Sequence, residues 1–286
     1  MTDAPRNNAA GAAWLLADMS LNIWALSIVK AMGLGFHPSQ IVFLRAATGL
    51  LLIAPWVWAR RDAFRGPEHL PLHLLRVALS AVTLTASFYA ISRVPLALFT
   101  AVNFTRPVVS MLMAAVLLRE VIGGRAWAAA AVAFLGVAIA MNPEGTAISP
   151  GFLALGVVVL TGSGAVIATR ALRAAPPVVM MAFYTGGLAV LSLPIAAITW
   201  TPIEAPELGP LLAVGIFSQA AQFCFLRAHF HGEARMLFVL GYLSLPLSVA
   251  VGTLVFGEAP SARFYAGAAL VIVAAALVAQ VRKHPH

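Results

Sequence analysis

The chain has 286 residues, 61% of them hydrophobic and 10% charged, with a formal net charge of +8 and a mean hydropathy of +0.93. Soluble domains carry about 25% charged residues, so there is too little charge here to cover a soluble fold, which excludes a soluble enzyme, a disordered chain and a free nucleic-acid-binding domain. The single cysteine, Cys224, excludes a disulfide framework and a four-thiolate zinc site and reads as a small buried apolar residue.

A membrane helix needs about 20 mostly apolar residues. Ten such runs follow one another, at 12–32, 39–59, 70–92, 95–118, 125–141, 149–172, 176–199, 207–230, 234–256 and 261–281. The expected fold class is therefore an all-α integral membrane protein with ten transmembrane helices. Residues 1–11, MTDAPRNNAAG, form a tail without a basic region followed by a cleavable apolar segment, so no signal peptide is expected. Basic residues give the orientation. Twelve fall on one side: Arg6, Arg60, Arg61, Arg65, Arg119, Arg125, Arg170, Arg173, Arg227, Arg235, Arg282 and Lys283. Three, Lys30, Arg93 and Arg263, fall on the other, and Arg45, Arg76 and Arg106 lie inside spans. This predicts both termini in the cytoplasm of a multi-pass inner-membrane protein, and makes the positive charge a topology signal without a nucleic-acid partner.

Taken in chain order, the spans carry few polar residues. On span one, Trp14, Asp18 and Asn22 form a drifting ridge, with Asn22 deepest. Asp18 is the only acid well inside a span, suited either to carrying a proton or to closing a gate against a basic residue near the cytoplasmic end. Lys30 and, on span two, Arg45 sit near the outer ends of their spans, where snorkelling explains them. Span three has His73, Arg76, Ser80, Thr83 and Ser87 at spacings of 3 and 4, hence on one helix face. Lipid penalises such a face, so Ser80, Thr83 and Ser87 are expected to line a cavity or bond a neighbouring helix, while His73 and Arg76 are expected at headgroups.

On span four, Phe99, Asn103 and Arg106 precede Pro107. Proline removes a donor and clashes with the carbonyl four residues earlier, which frees Asn103 at mid-depth; Pro246 on span nine does the same for Tyr242. Freed carbonyls survive only in protein or beside a wet cavity. Arg106 lies about eleven residues into its span, close to mid-bilayer by the ~1.5 Å helical rise, where a charge needs a partner, water or an anionic ligand. Span six contributes the glycine-rich TGSGA with Ser163, and span eight Ser218, Gln219 and Gln222. On span nine Phe238, Tyr242 and Ser244 sit at the depth of the span-four group. Substrate contacts are therefore expected from Asn22, Ser80, Thr83, Ser87, Phe99, Asn103, Arg106, Ser163, Gln219, Gln222, Phe238, Tyr242 and Ser244, and gating or coupling from Asp18, Pro107 and Pro246.

The chain repeats itself. Pro38 and Pro177, Pro55 and Pro194, Phe99 and Phe238, and Pro107 and Pro246 are each 139 residues apart. After one deletion the offset is 138, matching Glu120 with Glu258, Arg125 with Arg263 and Trp127 with Tyr265. Residues 12–142 and 149–281 thus form two five-helix copies. Five is odd, so the second copy is inverted, which is the layout of a secondary transporter.

The segments RVPLALFTAVNFTRPVVSMLMAAVLLRE at 93–120 and EARMLFVLGYLSLPLSVAVGTLVFGE at 233–258 resemble the drug/metabolite transporter superfamily, specifically its EamA-type members with two five-helix halves. Each has a mid-span proline and a span-ending glutamate 12 or 13 residues later. A later family glycine falls on Gly267, with Ala129 at the first copy's equivalent. The resemblance covers essentially the whole chain and is most similar to bacterial inner-membrane exporters of amino acids, including aromatic ones. It implies alternating access and a small amphipathic solute; the alternatives are another small metabolite or drug, or a membrane-embedded enzyme. Against the enzyme, H-E-x-x-H is absent, a second intramembrane acid is lacking and Gly162-Ser163-Gly164 has no nearby histidine base; the turn His229-Phe230-His231 does not put both histidines on one helix face. No Walker loop is present, and no cofactor or metal is expected.

Overall fold

The computed structural model describes residues 8–64, 69–106, 108–110, 112–113, 124–141, 149–172, 175–231, 237, 240–241 and 243–281. Among them ten α-helices follow the ten apolar runs: α1 (Asn8–Ala31), α2 (Pro38–Ala59), α3 (Leu70–Ile91), α4 (Leu96–Asn103), α5 (Gly124–Met141), α6 (Pro150–Ala171), α7 (Pro177–Ile198), α8 (Ala205–His231), α9 (Ser244–Phe256) and α10 (Ala262–Val281). By length and composition α1, α2, α3, α6, α7 and α8 can each cross a membrane, and α5, α9 and α10 hold shorter apolar stretches. Helices are the natural solution because they satisfy every backbone group within the segment. Proline starts α2 and α7, where its missing N–H is no loss. One element was not expected from sequence: a 3-10 turn, Arg61–Phe64, between α2 and α3.

The helices alternate in direction. The starts of α1, α3, α5 and α7 and the ends of α2, α6 and α8 share one face, here the N-side. The segments around 31–38, 91–96, 198–205 and 256–262 share the opposite, far side.

Both expected kinks coincide with interruptions of the helix. α4 stops at Asn103, and the N–H groups of Phe104 and Thr105 turn back to the carbonyls three residues earlier, at 3.1 and 3.0 Å. Leu243 likewise donates to Leu240 at 2.9 Å immediately before α9, with Pro246 the third residue of that helix. Pro107, Phe238 and Tyr242 lie outside the described residues.

The packing carries the internal symmetry. Its most extensive contacts pair α1 with α8, α3 with α6, α2 with α7 and α5 with α10, and α4 packs on α9. Exchanging the halves turns α1·α8 into α6·α3 and leaves the other three pairs unchanged, so the two copies are interleaved. Glycines set the closest approaches. A β-carbon at Gly136 of α5 would stand 2.7 Å from the Gly267 carbonyl of α10, so these backbones touch. The repeat counterparts of these glycines, Ala274 and Ala129, are both fully buried in one cluster. Ala129, the repeat counterpart of Gly267, is thus buried in the packing of α5 on α10.

At the far side the halves are tied by the one ion pair among the described residues, Lys30 Nζ to Glu258 Oε1 at 2.9 Å. Lys30 also donates to the Val94 carbonyl at 2.8 Å, and the Leu96 N–H donates to both Glu258 oxygens at 3.0 and 3.1 Å. A carboxylate at the start of a helix suits its dipole. Gly257, in left-handed backbone at φ 64°, ends α9 and turns Glu258 into this position. The expectation that Lys30 snorkels is thereby corrected: the carbonyls of Ile91 and Val94 and the Glu258 carboxylate hold it.

Candidate functional site

Between the halves lies a cavity of about 390 Å³ lined from α1, α2, α3, α4, α6, α7 and α8. Along α3 the lining runs from Arg76 to Phe88, roughly 18 Å at the helical rise. Its polar members include Asn22, Ser80, Thr83, Ser87, Asn103, Ser218 and Gln222, and Phe88 and Phe99 give it an aromatic end. The polar stripe of α3 therefore does face inward, as its spacing requires.

Arg106 reaches this cavity from the segment just after the α4 interruption. Its guanidinium lies on Gly162 of α6, where a β-carbon would stand 2.6 Å from Nη2. The same nitrogen donates to the Val158 carbonyl at 3.3 Å, and the Ser163 hydroxyl donates to the Arg106 carbonyl at 3.3 Å. Arg106 Nε is buried without a hydrogen-bond partner among the described residues. No acidic residue lines the cavity among the described residues. The glycine-rich turn of α6 thus seats an arginine, with donor capacity left over.

Several expected contacts are organised differently from one another. Thr83 shares a 2.7 Å hydrogen bond with Thr161, so it also joins α3 to α6. The Asn103 amide donates to the Phe99 carbonyl at 2.7 Å, using part of the backbone capacity at the kink. Ser163 is fully buried and is not part of the lining. Gln219 turns away from the cavity: its Oε1 would be 2.8 Å from a β-carbon at Gly49, so it fills the groove that glycine leaves on α2. The Ser244 hydroxyl donates to Gly241 at 2.8 Å, and no described residue of α9 lines the cavity. Pro246 is exposed.

Asp18 is buried beneath the cavity, and its Oδ1 accepts from the Asn22 amide at 2.7 Å. The alternative of an Asp18 pair with a basic residue is not what the described residues hold.

Three readings are corrected. Arg76 is only 8% exposed and does not reach headgroups; its Nε donates to Thr169 Oγ1 at 2.8 Å and its Nη1 to the Met180 carbonyl at 3.1 Å. His73 is buried and stacks on Phe183 at 4.7 Å. Arg45 does not snorkel: it lines the cavity with its guanidinium 6.0 Å from the Tyr184 ring centroid, and Arg76 approaches the same ring at 5.4 Å. α2 and α7 thus contribute to the site, which depth along one span could not reveal. The usable signal was the repeat, because Arg45 and Tyr184 are 139 residues apart and so face each other across the pseudo-axis.

Two other hollows frame the site. A far-side vestibule of about 290 Å³ includes His37, Tyr89 and Arg93, and Phe88 lines both it and the central cavity. A crevice of about 650 Å³ between α4, α5 and α6 is walled almost entirely by apolar groups such as Val109, Phe134 and Leu160. It lacks the convergent polar groups that orient a solute and suits acyl chains.

The EamA-like transporter pattern matches residues 11–142 and again 149–280. The pseudopaline exporter CntI of Pseudomonas aeruginosa is 28% identical over 262 residues, covering 90% of this chain and 91% of that one. An S-adenosylmethionine uptake transporter of Rickettsia felis is 24% identical, with 99% of each chain covered. A riboflavin transporter of Brucella anthropi is 29% identical over 249 residues, covering 82% of this chain and 86% of that one. A solved crystal structure superimposes with a TM-score of 0.65 over 96% of this chain and 98% of the other, at 21% identity, and so shares the fold.

Proposed function

The chain belongs to the EamA-like transporter family, and on that premise we propose that it exports small carboxylate-bearing metabolites, amino acids including aromatic ones among them, across the bacterial inner membrane by alternating access. The observation that carries this reading is Arg106: a mid-span guanidinium in a solute-sized cavity, with a buried Nε that no group among the described residues satisfies. A carboxylate supplies what that nitrogen lacks. Phe88 and Phe99 give an apolar side chain a surface to rest on.

In this reading the N-side is cytoplasmic, following the distribution of basic residues. The lining reaches Thr169, two residues from the N-side end of α6, whereas Phe88 and the Lys30–Glu258 pair stand between the cavity and the far side. The described conformation then takes up solute from the cytoplasm. Exchange of the interleaved halves opens the other end. Asn103 and Pro246 mark the hinges, and Asp18 is the group available for proton coupling.

The three relatives are named for pseudopaline, S-adenosylmethionine and riboflavin. That variety favours a second reading, another small metabolite in the same cavity. Counterflow in liposomes with labelled amino acids and other metabolites, with and without a proton gradient, tests both. Saturable amino-acid flux supports the first reading; flux of another metabolite alone supports the second.

A further inference from the structure

The cavity holds more positive charge than one carboxylate answers. Arg45, Arg76 and Arg106 all line it, and none has an acidic partner among the described residues. Arg45 and Arg76 approach the same Tyr184 ring, at 6.0 and 5.4 Å. Two guanidinium groups drawn to one ring inside a membrane protein repel each other in a medium that screens poorly. The ring's π face offsets part of this, but no anion of the described protein does.

The duplicated scaffold does not need these arginines. At the 139-residue offset, Arg45 corresponds to Tyr184, Arg76 to Gly215 and Arg106 to Leu245. Each half builds the same helix pairs with a neutral residue where the other has the charge. Arg76 is the most tied, through Thr169 and Met180. Arg106 retains its unpartnered Nε, and Arg45 makes no hydrogen bond among the described residues beyond its approach to the ring. Uncommitted donors thus stand at two places in one cavity, one toward α2 and α7 and one toward α4 and α6.

We infer that the transported solute carries at least two anionic groups, carboxylate or phosphoryl, one held between Arg45 and Arg76 beside Tyr184 and the other at Arg106. This rests on the cavity being the solute site. It narrows the solute from a plain amino acid to an organic dianion or an acidic amino acid.

The test is counterflow by the full-length protein in liposomes with labelled succinate, glutamate, glycerol 3-phosphate and phenylalanine, for wild type, Arg45→Gln and Arg45→Lys. The expected result is saturable flux of succinate, glutamate or glycerol 3-phosphate. Arg45→Gln should raise the KM of that solute at least tenfold, and Arg45→Lys should hold it within about threefold. Which solute moves separates carboxylate from phosphoryl recognition. Arg45 is chosen because its removal breaks no hydrogen bond among the described residues; thermal melts of the variants confirm that they are folded. Flux of phenylalanine alone, or dianion flux indifferent to Arg45→Gln, overturns this inference and leaves the transporter reading standing. Absence of flux for all four solutes overturns this inference and the amino-acid reading together, and leaves only another small metabolite.

Discussion

The guanidinium of Arg106 lies flat on Gly162, in the space that a side chain at that position would fill. An arginine on one half and a glycine on the other are thereby a single unit across the internal repeat. Gly162→Ala should push the guanidinium out of its seat without changing any charge. The expected outcome is a tenfold or larger rise in KM for the transported anion with a melting temperature close to wild type, measured by counterflow and by thermal melts in detergent. An unchanged KM would mean that the seat has no role in solute binding.

The Lys30–Glu258 pair should hold the far side shut. Its side chains are 15% and 13% exposed, and Glu258 also caps α4 through Leu96. Hydrogen bonds to charged groups contribute about 1.5–3 kcal/mol, so Glu258→Gln should shift the conformational balance about tenfold or more toward the far-side-open state. A cysteine placed at Ser87, reacted with a membrane-impermeant maleimide from the far side, reads this out; Cys224 is buried and gives a low background. Faster labelling in the Glu258→Gln background is expected.

Phe88 separates the cavity from the far-side vestibule and is 4% exposed. Phe88→Ala should leave a hole costing about 3–5 kcal/mol of stability and connect the two spaces. In liposomes it should let solute leak down its gradient faster than wild type does. A wild-type leak rate in a folded Phe88→Ala variant would locate the barrier elsewhere.

Asp18→Asn should fold normally, because an amide oxygen accepts from Asn22 as the carboxylate does. If Asp18 carries the coupled proton, the variant transports by counterflow but no longer responds to an imposed pH gradient. A full pH-gradient response in Asp18→Asn would remove Asp18 from coupling.

What the sequence exposes and what it hides follow from how local each effect is. The interruption after Asn103 is legible because the clash between Pro107 and that carbonyl involves one helix. The depth of Arg106 is legible from its position in an apolar run. The inverted arrangement can be read from the proline spacings, and helix pairing that survives exchange of the halves is its physical expression. The placement of Arg45 and Arg76 is hidden because their distance from a span end allows snorkelling, and nothing along one helix shows that Tyr184 and Thr169 stand beside them. Gln219 and Gln222 look equivalent on α8, but only Gln219 meets the gap that Gly49 leaves on α2. These outcomes depend on which helices are neighbours, and that is fixed by packing between distant parts of the chain.

The central claim is that Arg106 receives an anionic group of the solute in a cavity shared by both halves. The most direct measurement is solute affinity in liposome counterflow for wild type and Arg106→Gln, with folding confirmed by thermal melts. The account predicts saturable flux in wild type and a loss of affinity of at least tenfold in Arg106→Gln. Wild-type affinity in a folded Arg106→Gln protein would contradict it.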